Sequence, residues 1–195
     1  MWIHRRCALH DDIPVRAVLN NRKLAKYFNR ETALGIVCLA EMLAEVPLAA
    51  DTPAFYDTGL VEYEDFGLDA IVETCVTDGT YTQQSFVEKG MSLISPMTQF
   101  KILLNMPLCF FSIEHHLTGD NAVTYSSAEG LLTHARLADT EGAILIGAGK
   151  VNPDGAVESG FALATRVELA SLPDRYAGKE GIEIFRGFSA GESHA

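Results

Sequence analysis

The sequence predicts an α/β domain in which helices are layered on a mixed sheet. Segments with helical periodicity alternate with short apolar strands, and this alternation is typical of a layered α/β domain. The chain has 195 residues and a hydrophobic content of 48%, which is enough for one domain with a substantial core. We therefore treat residues 1–195 as a single domain, and we expect its small, polar tail at 189–195 to be mobile.

The N-terminal half predicts a strand, a long helix and a second strand. MWIHRRCALH alternates weakly and predicts the first strand, with DDIP as its exit loop. Over residues 22–46, apolar residues recur at three- and four-residue steps before Pro47, which predicts one long helix packed on one side. Residues 52–65 favour strand structure, but an interruption at 57–59 predicts either a strand followed by a turn or two short strands. A shorter helix over 68–76 follows.

The C-terminal half predicts a helix followed by strands around a second helix. Residues 95–113 read SPMTQFKILLNMPLCFFSI, and the initial Ser-Pro favours a helix start. Pro107 should kink or end this helix. The remaining predicted elements, in the order strand, helix, strand and strand, are 123–126, Ala128–Leu137, 142–151 and 160–169.

The composition argues against several functional classes. The net charge of −11 disfavours binding to nucleic acid or to an anionic membrane. The most apolar run, 102–113, is too short to cross a bilayer, and residues 1–12 lack the apolar segment of a signal peptide, so we expect a cytoplasmic protein. The four cysteines lie more than thirty residues apart, which indicates reduced thiols without local metal-ligand spacing. We expect neither a metal nor a cofactor.

Positive charge is concentrated near the N-terminus. Residues 1–30 carry a balance of +5, which leaves −16 for the rest of the chain. A solvated helix face is the common explanation for such a cluster. The alternative is a docking surface for an acidic protein, and its candidate residues are Arg22, Lys23, Lys26 and Arg30.

A series of short motifs runs from residue 95 to residue 149. The chain reads SPMTQF, then Asn105, then SIEHHLTGDN, then AVTYSSAEG and finally AILIGAG. This order resembles the N-terminal half of beta-ketoacyl synthases, whose Ser-Pro helix start leads through an Asn-containing helix to Thr-Gly-Pro-Asn, a strand and a Thr-Ala-Cys elbow. The predicted helix over 22–46 and DTPAFYDTG are similar to the helix and strand that come earlier in that family. The resemblance implies the thiolase-like fold.

The family's elbow carries a nucleophilic cysteine where a strand turns into a helix. The helix N-terminus favours the thiolate, and nearby backbone N–H groups stabilise the oxyanion. Aligned from Asn121, the cysteine position falls on Ala128, and an alanine methyl cannot attack a thioester. Ser127 lies one residue earlier, so its side chain should point to the opposite face from that of residue 128. We therefore expect the hydroxyls of Ser126 and Ser127 to form hydrogen bonds with backbone groups near the helix start.

The resemblance implies a non-catalytic subunit similar to the chain-length-factor-like proteins of fatty acid, polyketide and aryl polyene pathways. The family's two catalytic histidines belong to a C-terminal half that has no counterpart in this sequence. The implied partners are a second copy or an active ketosynthase, contacted through the strand at 121–126. An acidic acyl carrier protein would bind the basic residues of the N-terminal region.

Two other functions stay open at this stage. A self-associating structural or regulatory protein without an acyl ligand ranks second. A small serine-dependent acyl transferase or thioesterase, which would use Ser127 or Ser126, ranks last because no Gly-x-Ser-x-Gly motif is present.

Overall fold

The computed structural model describes residues 3–10, 12–59, 68–170, 172 and 176–189. Its strands are β1 (Ile3–Leu9), β2 (Ala54–Thr58), β3 (Val76–Thr77), β4 (Thr80–Tyr81), β5 (Asn121–Tyr125), β6 (Ile144–Val151) and β7 (Val157–Ala164). Its α-helices are α1 (Val15–Val18), α2 (Arg30–Leu43), α3 (Leu68–Cys75), α4 (Gln83–Glu88), α5 (Pro96–Ile102), α6 (Met106–His115), α7 (Ala128–Leu137), α8 (Arg166–Ala170) and α9 (Ile182–Ser189). Two 3₁₀ helices span Arg22–Tyr27 and Gly90–Leu93.

Five of the strands form one mixed sheet in the order β1-β7-β6-β2-β5. β7 runs antiparallel to both of its neighbours, whereas β6, β2 and β5 are parallel to one another. The predicted α/β class with helices layered on a mixed sheet is therefore confirmed. Because three neighbouring strands are parallel, their carboxyl ends meet at the same end of the sheet.

Each face of the sheet is covered by its own layer of helices. On one face, α2 and α6 cover the sheet, and the ring of Phe111 on α6 packs against those of Tyr56 on β2 and Phe161 on β7. The centroids of the three rings lie 5.1 to 5.9 Å apart. On the other face, α7 and α9 pack over the strands, and Phe185 is almost fully buried there. Burying one such side chain stabilises the fold by about 1.5–3 kcal/mol.

The predicted continuous helix over 22–46 is wrong. The first 3₁₀ helix ends at Tyr27, Phe28 is extended, and α2 begins only after Asn29. The Asn29 side chain accepts a hydrogen bond from the Thr32 N–H, so this residue caps the second helix. The apolar periodicity continues across the break because Phe28 still packs into the core.

The predicted helix over 95–113 is also divided. α5 ends at Ile102 and α6 begins at Met106, so the break lies before Pro107 and not at it. Pro107 occupies the first turn of α6, where a missing N–H removes no intrahelical hydrogen bond.

Several predicted strands have different bounds. β2 continues through Asp57 and ends at Thr58, within the predicted interruption at 57–59. The predicted strand over 160–169 is wrong at its end, because β7 stops at Ala164 and α8 follows. Thr165 and Glu168 form a reciprocal capping box that starts this helix.

Two predicted segments lie largely outside the described residues. They are the part of the 52–65 strand that follows residue 59 and the tail at 189–195, of which only Ser189 is described, as the end of α9. Among the described helices, none has both the length and the apolar character that a membrane crossing requires.

A buried carboxylate ties the edge strand β1 to the rest of the sheet. Glu158 on β7 is 6% exposed and accepts hydrogen bonds from Arg6 on β1, Arg186 on α9 and Asn152 in the β6–β7 turn. Burial by itself raises the pKa of Glu158, but the hydrogen bonds from Arg186, Arg6 and Asn152 outweigh it and lower that pKa to about 2.

Replacing Glu158 by Gln should lower the free energy of unfolding near neutral pH by about 3 kcal/mol, because Arg6 and Arg186 lose their shared counter-charge. The folded-state pKa of about 2 lies below the ordinary value of 4.5. The ionised carboxylate therefore stabilises the fold fully above that ordinary value, and this contribution is lost as the pH falls toward the folded-state pKa. In urea unfolding, the free energies of unfolding of the wild type and the variant should differ less near pH 3 than near pH 7. A difference in unfolding free energy that does not change with pH would contradict this account. The Glu129→Gln variant is the control, because Glu129 is exposed.

Candidate functional site

Polar side chains gather at the carboxyl ends of β2, β5 and β6. Asp57 lies near the end of β2, Ser126 follows β5 directly, and Lys150 lies near the end of β6. In open α/β sheets, ligands bind outside the carboxyl ends of the strands. This end of the sheet is therefore the candidate site.

Asp57 is fully buried, and its carboxylate accepts three hydrogen bonds. Oδ1 accepts from the Thr124 hydroxyl at 2.7 Å and from the Ser127 N–H at 2.9 Å, and Oδ2 accepts from the Gly181 N–H at 2.8 Å. Burial raises the pKa of Asp57, although these hydrogen bonds act in the opposite direction. One carboxylate thus joins β2 and β5 to the starts of α7 and α9.

The elbow that the resemblance predicts falls on the turn from β5 into α7. Ser126 adopts a left-handed backbone conformation with a φ of 51°, which is uncommon for a residue other than glycine. Ser127 is the N-cap of α7, and its hydroxyl accepts a hydrogen bond from the Gly130 N–H at 3.0 Å. Ala128 is the first residue of the helix, and its methyl is fully buried in the hydrophobic core. The position that the resemblance aligns with a cysteine therefore faces the core.

The backbone N–H groups of this elbow already have acceptors within the chain. The Ser126 N–H donates to the Thr58 carbonyl at 2.9 Å, and the Ala128 N–H donates to the Lys179 carbonyl at 2.8 Å. The intervening Ser127 N–H donates to Asp57. A bound anion or an oxyanion needs donors of this kind, and here it would have to compete with oxygens of the protein itself.

Ser126 is the elbow serine whose hydroxyl contacts an acidic side chain. Its Oγ donates to Glu180 Oε1 at 3.0 Å, and Glu180 Oε2 lies 2.5 Å from Lys150 Nζ. His134 on α7 is exposed to solvent. The arrangement supplies a hydroxyl beside an ion-paired carboxylate.

The four predicted partner-binding residues fall into two groups. Three of them are exposed on the first 3₁₀ helix: Arg22, Lys23 and Lys26. Arg30 instead begins α2 and donates to the carbonyl of Gly155 at 2.7 Å and to that of His10 at 2.8 Å. Arg30 therefore ties the N-terminal loop to the β6–β7 turn, and the exposed group is the one available to a partner.

The edge strand β5 carries an apolar surface. Within the described part of the chain, β5 pairs with β2 alone, and its five residues are uncharged. Tyr125 is 49% exposed and Ile113 on α6 is 55% exposed. A pocket of about 160 Å³ lies among residues that include Leu104 and Tyr125. We name this surface the β5 edge face and define it as Asn121–Tyr125 together with Leu103, Leu104 and Ile113.

Sequence reasoning missed the acidic and basic residues around the elbow. Asp57 offered a signal, because it is the one charged residue in AFYDT, yet it was interpreted as the start of a turn. Glu180 and Lys150 offered none, since Glu180 is distant in sequence from the Ser126 that it contacts, and Lys150 is in turn distant from Glu180. Among the described residues, no group of three or more His, Cys, Asp or Glu side chains is arranged to hold a metal ion.

A comparison of the chain with models of protein families finds no match, and a search of curated proteins finds no match either.

Replacing Asp57 by Asn should lower the free energy of unfolding by about 2–3 kcal/mol, because the amide cannot accept on both sides and must turn a donor toward one of the buried N–H groups. The matched control is Ser127→Ala, which removes only the helix cap and should lower it by about 1 kcal/mol. Urea unfolding followed by circular dichroism gives both values. If Asp57→Asn lowers the free energy of unfolding no more than Ser127→Ala does, the carboxylate does not hold β2 and β5 to the starts of α7 and α9.

Proposed function

We propose that this chain is a non-catalytic, ketosynthase-like subunit that pairs with a condensing enzyme. In this proposal it supports acyl chain elongation in fatty acid, polyketide or aryl polyene synthesis, as chain-length-factor-like proteins do. The observation that carries the proposal is the buried methyl of Ala128, the residue at which the elbow passes into α7. The turn is retained, but its reactive position is filled by a side chain that packs the protein.

The hydrogen bonds of the elbow agree with a role other than catalysis. The Ser127 N–H donates its hydrogen bond to the carboxylate of Asp57. In a catalytic elbow, an N–H at this position would stabilise the negative charge of the reaction. A thiol placed at residue 128 would lie among the apolar side chains of the core, and burial in apolar surroundings disfavours a thiolate. Both features favour a structural use of the turn.

The placement of the motifs supports the thiolase-like fold as part of this proposal. Ser95-Pro96 starts α5, Thr118-Gly119 leads into β5, and Gly147 and Gly149 lie on β6. Asn105 departs from the family pattern, because it precedes α6 and does not lie within a helix. The succession of strand, elbow and helix at residues 121–137 is the part of the resemblance that matters for function.

The β5 edge face is the surface that we assign to the partner subunit. An unpaired edge strand without charge can pair with the edge strand of another molecule. Antiparallel pairing of two copies of β5 about Val123 would place Asn121 opposite Tyr125 and Ala122 opposite Thr124, which is a self-complementary contact. A second copy of this chain, or an active ketosynthase with the same strand, fits this geometry.

The exposed basic residues of the first 3₁₀ helix are the surface that we assign to an acyl carrier protein. Arg22, Lys23 and Lys26 give this helix a charge of +3, although the chain as a whole carries −11. Carrier proteins of these pathways are acidic, and opposite charges accelerate and orient association. Tethered substrates would thereby be delivered to the paired subunits.

The double variant Ile113→Lys/Tyr125→Lys should reduce association with the partner about ten-fold or more, because it places two charges on an apolar contact surface. Leu137→Lys/Val167→Lys is the matched control, since it also replaces two exposed apolar residues, on α7 and α8. Light scattering measures self-association, and affinity capture from the native host followed by mass spectrometry identifies a different partner. The expected partner is a second copy or a ketosynthase present in near-equal amount.

Three outcomes would contradict the proposal. Equal association by both double variants would remove the β5 edge face as the contact. Recovery of the protein alone, as a stable oligomer that binds neither a ketosynthase nor an acyl carrier protein, would favour the structural or regulatory protein. Hydrolysis of an acyl thioester that is lost in Ser126→Ala or Ser127→Ala would favour the serine-dependent enzyme.

Reversing charge in Arg22→Glu/Lys23→Glu should weaken binding to an acidic acyl carrier protein about ten-fold at low salt, with a smaller effect as salt is added. Titration calorimetry at two salt concentrations measures this change. Lys89→Glu is the control, because it reverses an exposed charge in a different part of the chain. Unchanged binding by the double variant would remove the carrier protein from the proposal.

A further inference from the structure

Two cysteines meet where β1 packs against α2. The Cys38 thiol lies 3.5 Å from the Ser159 carbonyl oxygen and 3.7 Å from that of Arg5. Ser159 is the register partner of Cys7 across the β1–β7 pair. Cys7 Sγ in turn lies 3.6 Å from Oε2 of Glu41, which follows Cys38 by one helical turn. Both sulfur atoms therefore lie over the same short stretch of the β1–β7 pair.

The two thiols differ in their access to solvent. Cys38 is fully buried, whereas Cys7 is partly exposed. The side chains of Arg5 and Glu41, which are hydrogen-bonded to each other at 2.8 Å, are 46% and 41% exposed beside Cys7. A small molecule in solution can reach Cys7, and Cys38 can react only with a group that Cys7 already carries.

The electrostatic surroundings assign different roles to the two sulfurs. The hydrogen bond from the Cys38 thiol lowers the pKa of Cys7, although burial and the charge of Glu41 act against this effect. The hydrogen bond to Cys7 and burial raise the pKa of Cys38. The attacking species in thiol–disulfide exchange is the thiolate, so Cys7 is the residue that reacts first.

We propose that Cys7 and Cys38 are a reversible oxidation site that forms an intramolecular disulfide with a low-molecular-weight disulfide as the oxidant. The Cys7 thiolate attacks one sulfur of the oxidant, forms a mixed disulfide and releases one thiolate. Cys38 then attacks the Cys7 sulfur, loses its own proton and releases the second small thiol. The two cysteine sulfurs give up two electrons and two protons in total, and the oxidant becomes two thiols.

The bridge would join the edge strand of the sheet to the helix above it. It closes a loop between residues 7 and 38 that contains the first 3₁₀ helix with its exposed basic residues. A cross-link of this length stabilises a fold mainly by restricting the unfolded chain. The inference depends on the β1–α2 contact alone and is independent of the proposed partner at β5.

The experiment uses the full chain with Cys75→Ser and Cys109→Ser, which leaves only the two proposed cysteines. The native protein is incubated with oxidised glutathione, and free thiols, intact mass and thermal midpoint are measured. The expected result is loss of both free thiols without retained glutathione and a rise in the midpoint of about 5–10 °C, all reversed by dithiothreitol. Adding Cys38→Ser should leave one glutathione bound at Cys7, because no second thiol is present to release it.

Two results would overturn the proposal. The first is a native protein that keeps both thiols free under these conditions. The second is a bridge that forms only after the chain has been unfolded in urea. If the variant with Cys75→Ser and Cys109→Ser does not fold, the oxidised wild-type chain is analysed by peptide mapping. Peptide mapping tests the proposal equally well, because it identifies which cysteines are joined.

Discussion

The buried carboxylate of Asp57 is the constraint on which the arrangement of the elbow depends. A charged group in the interior requires donors, and this one receives them from the elbow, from β5 and from the start of α9. The same bonds hold Ser126 in a left-handed conformation that costs about 1–3 kcal/mol. Because the carboxylate takes the Ser127 N–H, the interaction that orders the turn also removes a donor that catalysis would use.

The glycines of β6 have a packing role that their motif does not reveal. A Cβ on Gly147 would lie 2.5 Å from the ring of Phe161, and one on Gly149 would overlap the Tyr56 hydroxyl. That hydroxyl reaches across β6 to donate to Glu31 on α2 at 3.1 Å. The paired glycines in AILIGAG therefore let a buried tyrosine cross a neighbouring strand, and no ligand is needed to explain them.

Elements with local signals were predictable from the sequence. The bounds of α7 were predicted correctly because Ser127 caps the helix and apolar residues follow at helical spacing. The start of α8 was also signalled by Thr165-x-x-Glu168, which was overlooked because the apolar run before it suggested a longer strand. The break at Asn29 could not be found in this way, since Phe28 keeps the helical spacing while the backbone is extended. The contacts of Glu180 with Ser126 and Lys150 depend on tertiary packing alone.

The two edges of the sheet differ in a way that bears on association. β1 carries Arg5 and Arg6, which are paired with Glu41 on α2 and Glu158 on β7, and charged residues protect an edge strand from pairing with other chains. β5 carries no charge, its own Tyr125 is exposed, and the exposed Ile113 lies on α6. If the chain associates through a sheet edge, β5 therefore favours that contact and β1 opposes it. A partner at β5 would lie next to the elbow, which is the place that the proposed function requires.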